Sequence, residues 1–99
     1  MAAPVRLTEA EIAARLEALP DWRIESGKLH KPFAFRDFVD AWGFMSAVAL
    51  VAEAMGHHPE WSNAWNRVVV DLTTHDAGGL TPLDFDLAAR MEQLAARRA

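Results

Sequence analysis

The stretch from Asp37 to Met55 limits most strongly what this chain can become. Asp37 stands as a helix cap and Gly56 as a left-handed stop, so the segment predicts one long helix. At about 1.5 Å per residue it reaches about 28 Å, most of the length of a small domain. Phe38, Trp42, Met45, Ala49 and Ala52 fill one face, and Phe44, Ala47, Val48 and Val51 fill most of the other. A helix apolar nearly all round is buried nearly all round. One layer of sheet covers one side only, so a second subunit is expected over part of the rest.

Composition sets the outer limits. A chain of 99 residues, 52% of them hydrophobic, predicts one domain with a single core. The net charge of −4 is spread over both signs, which argues against a nucleic-acid partner, since a phosphate-backbone binder carries a basic face. With no cysteine there is no disulfide framework and no thiolate metal site, and a reducing cytoplasm suits the chain. The start, Met1-Ala-Ala-Pro-Val5, lacks the charged-then-apolar layout of a signal peptide. The longest uncharged apolar window, Ala41 to Ala52, falls short of the roughly 20 residues that span a bilayer, so no membrane is expected.

The flanking segments supply the sheet. Thr8-Glu9-Ala10-Glu11 is a capping box, and Ile12, Leu16 and Leu19 make the apolar stripe of a first helix that Pro20 ends. Asp21 to Phe35 predicts a β-hairpin turning at Ser26-Gly27-Lys28, with Pro32 at an edge or bulge and His30 a surface or half-buried histidine. Glu60 to Asn63 reads as a short strand. Ala64 to Thr74 is the strongest strand, with Val68, Val70 and Leu72 on one face and Arg67, Asp71 and Thr73 on the other. After Gly78-Gly79, Thr81-Pro82-Leu83-Asp84 opens a last helix whose inner stripe is Leu87, Ala88, Met91, Leu94 and Ala95. The order is α-β-β-α-β-β-α. It predicts an α+β fold, a four-stranded antiparallel sheet with helices packed on one face.

Chemistry gathers at two element ends. Three of the four histidines lie in Glu53-Ala-Met-Gly-His57-His58-Pro59-Glu60-Trp61 and in Thr74-His75-Asp76. Imidazoles titrate near neutrality, which is what proton transfer needs. Glu53 and His57 are four apart and share a face if the helix runs one more turn. Gly56 breaks it first, which loosens that geometry without separating the two. A carboxylate beside an imidazole favours the charged ring and fixes its tautomer. His58 precedes Pro59 and is held extended, so the two adjacent histidines are free to point different ways. Trp61, with Trp22 as a further candidate, offers a flat wall for a planar ring.

Blander readings stand beside this one. His57-His58-Pro59 also reads as an ordinary polar loop. Glu53, His57, His58 and His75 are possible zinc ligands, although their spacing follows no metal motif. Asp84 reads first as a helix cap, and a capping carboxylate can also anchor a histidine.

The residues together resemble the pterin-4a-carbinolamine dehydratase family. Glu53-x3-His57-His58-Pro59-x-Trp61-x-Asn63, then Leu72-Thr73-Thr74-His75-Asp76-x-Gly78-Gly79-Leu80, then Asp84, carry the likeness. It extends through Trp22, Phe35-Arg36-Asp37-Phe38 and Gly43-Phe44-Met45 to the last helix, and departs at Trp65 and Pro82-Leu83. The resemblance implies loss of water from a 4a-hydroxytetrahydropterin, giving the quinonoid dihydropterin, in the recycling of tetrahydrobiopterin for aromatic amino acid hydroxylases such as phenylalanine hydroxylase. It implies His57, His58 and His75 as the catalytic set, with Glu53 and Asp84 tuning and holding the imidazoles. Pro59, Trp61, Thr74, His75, Asp76 and Ala77, with His57 and His58, are then the pterin contacts. No metal or other cofactor is required, the pterin being the substrate, and the chain is expected as a homodimer or homotetramer. The alternative on the same fold is a non-catalytic dimerisation, assembly or transcriptional coactivator module.

Overall fold

The computed structural model describes residues 4–98. Met1 to Ala3, on which the leader reading partly rests, and Ala99 lie outside them. Helix α1 (Glu9–Leu16) is followed by strands β1 (Arg23–Glu25) and β2 (Lys28–Ala34), then α2 (Phe38–Met55), β3 (Glu60–Ala64), β4 (Arg67–Leu72), a 3-10 turn at His75–Ala77 and α3 (Pro82–Ala96). All neighbouring strands are antiparallel, in the order β1-β2-β4-β3. The α+β fold and its element order are those expected.

The caps do what the sequence chemistry requires. The Thr8 hydroxyl accepts from the Glu11 N–H while Glu11 accepts from the Thr8 N–H. Asp37 accepts from the Asp40 N–H, and Gly56 closes α2 in the left-handed region at φ 65°. Helix α1 stops at Leu16, before the expected Pro20, and Leu19 packs into the core from the turn that follows.

One face of the sheet makes the core. Leu29, Phe33, Val68, Val70 and Leu72 point towards Ala41, Phe44, Val48 and Ala52 of α2 and Phe85, Leu87, Ala88 and Met91 of α3. Phe44 lies against the rings of Phe33 and Phe35, with centroids at 4.9 and 4.8 Å. The other face is polar. There His30 pairs across the sheet with Asp71 and reaches Glu25, half-buried as read.

Three sequence readings change. The chain turns at Ser26-Gly27, both at positive φ, so Lys28 already belongs to β2. The strongest strand begins at Arg67 rather than Ala64; Ala64 closes β3, and Trp65 takes a left-handed conformation in the hairpin between them. In α2, Ala52 lies with Phe44 and Val48 on the buried face, whereas Phe38, Val39, Trp42 and Leu50 are exposed. The spacing explains it: 44, 48 and 52 are successive turns of one stripe.

As a whole α2 is long and apolar enough, by length and composition, to cross a membrane. The shorter uncharged window left out its two ends, which carry Asp40 and Glu53. Its inner stripe is committed to the sheet, the placement of a helix packed onto a globular core.

Candidate active site

The end of α2 and the end of β4 meet at one cleft. Gly56, His57, His58, Thr73, Thr74, His75 and Asp76 line about 270 Å³. The geometry follows from how each element stops.

At the end of α2 the Gly56 N–H donates to the Glu53 carbonyl and the His57 N–H to the Ala52 carbonyl. That pair of bonds is the left-handed helix stop that a glycine permits. It reverses the chain so that His57 turns inward, with its side chain 9% exposed, while His58, held extended before Pro59, turns outward at 64%. The expected Glu53–His57 pair therefore does not form. Glu53 instead takes His58, Oε1 to Nε2 at 2.8 Å.

His57 finds a different carboxylate. Its Nε2 lies 2.6 Å from Oδ1 of Asp84, which is fully buried at the start of α3. The second oxygen, Oδ2, accepts from the Thr81 N–H at 2.9 Å and from the Thr74 hydroxyl at 2.8 Å. Since Thr74 donates its one proton to Asp84, the Thr81 hydroxyl must donate to Thr74, 2.8 Å away. Asp84 is thus both helix cap and histidine anchor, and each of its oxygens has a partner within the protein.

Beyond β4 the alternation continues to the turn. Thr74 is buried on the inner side and His75 leaves on the polar side, its side chain 78% exposed. The 3-10 turn is closed by backbone bonds from Ala77 to Thr74 and from Gly78 to His75, and by the Thr74–Gly79 bridge. His75 Nε2 lies 3.0 Å from Oε2 of Glu60, and the other oxygen of Glu60 takes the Lys28 ammonium at 2.6 Å. The Lys28 ammonium, and after it His75, hold the Glu60 carboxyl below its ordinary value, and Glu60 holds the Lys28 ammonium above its own.

One pattern unites the three histidines. Each places Nε2 on a carboxylate: His57 on Asp84, His58 on Glu53, His75 on Glu60. An ionised carboxylate only accepts, so each Nε2 carries the proton, and each Nδ1 has no hydrogen-bond partner among the described residues. Among the described residues no group of three or more His, Asp or Glu side chains is arranged to share a metal ion.

A sequence model of one family, described as pterin 4 alpha carbinolamine dehydratase, matches residues 5–94. The chain belongs to that family. A relative from Solibacter usitatus (strain Ellin6076), named "Putative pterin-4-alpha-carbinolamine dehydratase", is 54% identical over 91 residues, covering 92% of this chain and 96% of the relative. A protein of the same name from Synechococcus sp. (strain WH7803) is 49% identical over 88 residues, 89% of this chain and 95% of its own. Among solved structures, a transcriptional coactivator/pterin dehydratase from Brucella melitensis superposes with a TM-score of 0.88 at 47% identity, over 91% of this chain and 98% of that one. A pterin dehydratase-like protein identified as a RuBisCO assembly factor in the alpha-carboxysome gives 0.65 at 28% identity, over 76% and 89%.

Within this pterin 4 alpha carbinolamine dehydratase fold, the cleft gathers His57, His58, Thr74, His75 and Asp76 of the residues singled out in sequence. Pro59, Trp61 and Ala77 are not among its lining residues. Trp61 packs against the core from β3. Trp22 is spent elsewhere: buried, edge-on to Phe33 and donating its indole N–H to Glu92. Sequence reading missed Glu60, Lys28 and Thr81 as members of the site's network. Glu60 stood in plain view between Pro59 and Trp61, but its meeting with His75, fifteen residues on, is made by the fold and not by sequence neighbours.

Proposed function

We propose that this chain dehydrates 4a-hydroxytetrahydropterins to quinonoid dihydropterins by acid–base catalysis on its histidines. One observation carries the reading: three imidazoles border a single cleft, each with Nε2 on a carboxylate and Nδ1 left open. Membership of the pterin 4 alpha carbinolamine dehydratase family supports the pterin as substrate.

The reaction asks for two proton movements. The C4a–oxygen bond breaks, and the leaving hydroxide takes a proton and departs as water. A proton leaves a ring nitrogen, so the electron pair it frees completes the conjugated product. Groups positioned for both steps contribute ~10²–10⁴-fold in rate. We assign proton transfer to His57, from the α2 end of the cleft, and His75, from its β4 end, and orientation of the pterin to His58. Asp84 holds His57 in place, and Glu53 holds His58. Thr74, Asp76 and the neighbouring backbone form the edge on which the ring rests. The step itself needs no electron carrier, because nothing is oxidised or reduced.

We place this activity in the cytoplasm, in recycling tetrahydrobiopterin for aromatic amino acid hydroxylases such as phenylalanine hydroxylase, and in a homodimer or homotetramer joined through α2. Exposed Val39, Trp42 and Leu50 support that joining surface. A competition assay tests the substrate class. A stable dihydropterin should slow dehydration of a freshly generated carbinolamine, and indifference to it would remove the pterin from the cleft.

A second reading is favoured by the same exposed helix and by the likeness to the RuBisCO assembly factor: a binding module that uses α2 and not the cleft. It predicts that His57→Ala and His75→Ala leave every activity of the protein unchanged.

A further inference from the structure

We infer that Glu60, clamped by Lys28, is the positioning residue of His75, and that it selects Nδ1 as the nitrogen through which His75 exchanges protons. The inference deepens the dehydratase reading and rests on it for its role in turnover.

His75 has no buried surroundings to hold it. Its side chain is largely exposed on a three-residue turn, so packing does not restrict its rotamers as burial restricts those of His57. Among the described residues, the one side-chain hydrogen bond its ring makes is to Glu60. Such a bond performs two tasks at once, setting the direction of the ring and assigning the proton to Nε2.

Glu60 in turn is held at both oxygens. It opens β3 directly after Pro59 and stands opposite Asp71 in the sheet. Lys28 opens β2 directly after the Ser26-Gly27 turn. Strand β4 lies between those two strands, so the Lys28–Glu60 bond bridges over it and ties the β1–β2 hairpin to the site. With Oε1 occupied by the ammonium, Oε2 faces His75 in a fixed direction. The carboxylate stays ionised because Lys28 and His75 both lower its proton affinity. Each of the three histidines then has its own carboxylate, and His75 is the one whose anchor comes from the strand that the Pro59 turn begins.

The test uses the full chain, labelled with ¹⁵N in histidine. Long-range proton–nitrogen spectra at alkaline pH report which ring nitrogen carries the proton. Wild type should show His75 protonated at Nε2 with Nδ1 bare. Glu60→Gln, whose amide can accept or donate, should give mixed tautomers at His75 while His57 keeps its signature. Lys28→Met should move the His75 signals in the same direction by less. In turnover, Glu60→Gln should lower kcat by roughly tenfold, the low end of what partners behind a working histidine carry, with KM within about twofold. Identical His75 signals in wild type and Glu60→Gln would overturn the inference. A wild type without dehydratase activity would overturn the proposed function instead, and the tautomer comparison would still decide what Glu60 does to His75.

Discussion

His57 Nε2 and Asp84 Oδ1 meet at 2.6 Å, and no part of Asp84 is open to solvent. That contact joins the end of α2 to the start of α3, so a capping interaction and a histidine anchor share one carboxylate. Fold stability and site geometry are linked through it.

Two substitutions at Asp84 should separate those roles. Asp84→Ala strips the cap from α3 and leaves His57, the Thr74 hydroxyl and the Thr81 N–H without their acceptor. It should cost about 3 kcal/mol, the scale for leaving buried donors without their charged acceptor, seen as a lower urea midpoint. Asp84→Asn keeps the shape and one acceptor oxygen. It should fold, with kcat down roughly 10–100-fold. Full activity in folded Asp84→Asn would separate the anchor from catalysis.

The Lys28–Glu60 pair predicts an acid-dependent contribution to stability. The folded carboxyl lies below the ordinary 4.5, so its contribution is present above that value and fades as pH falls through the lower folded one. Urea midpoints of wild type and Glu60→Gln should therefore differ at neutral pH and converge in acid. The difference should be small, because the pair stays open to solvent, with 35% and 44% of its two side chains exposed. A gap that widens in acid would reverse the sign assigned here.

The outer stripe of α2 gives a third expectation. Val39 is 74% exposed and Leu50 76%, unusual for apolar residues on a helix whose other side is core. Wild type should sediment as an oligomer at micromolar concentration. Leu50→Glu should sediment as a monomer with an unchanged helical spectrum, since the residue touches no core neighbour. A monomeric wild type would leave the stripe without the partner proposed for it.

How far the residues alone reveal this depends on where each interaction is encoded. Local chemistry was legible: the caps at Thr8, Asp37 and Thr81, the stop at Gly56, and the alternation through Val68, Val70 and Leu72 all depend on neighbours in sequence. Asp84 was readable as cap and possible anchor because both roles suit one carboxylate at the start of a helix. The inner face of α2 was not, since a helix apolar all round has no polar stripe to set its rotation. The turn at Trp65 carried a local signal in the flanking Asn63 and Asn66, and the Asn63 amide holds it by donating to the Trp65 and Arg67 carbonyls, but a tryptophan at positive φ is not the residue such a turn leads one to expect. Pairing of Glu53 with His58 rather than His57 follows from the chain reversal at Gly56: the stop was legible, the direction in which it turns each histidine was not. The Lys28–Glu60–His75 contacts depend on strand order, a long-range property that no local pattern contains.

The most direct measurement is the dehydration rate of a freshly generated 4a-hydroxytetrahydropterin, followed by absorbance with wild type and His75→Ala side by side. His75 is exposed, so the variant should keep its stability within about 0.5 kcal/mol. Wild type should accelerate the reaction, and His75→Ala should lose about 10²-fold or more of that acceleration, the lower range for a positioned acid or base. Equal rates for the two folded proteins, or no acceleration by either, would contradict the account.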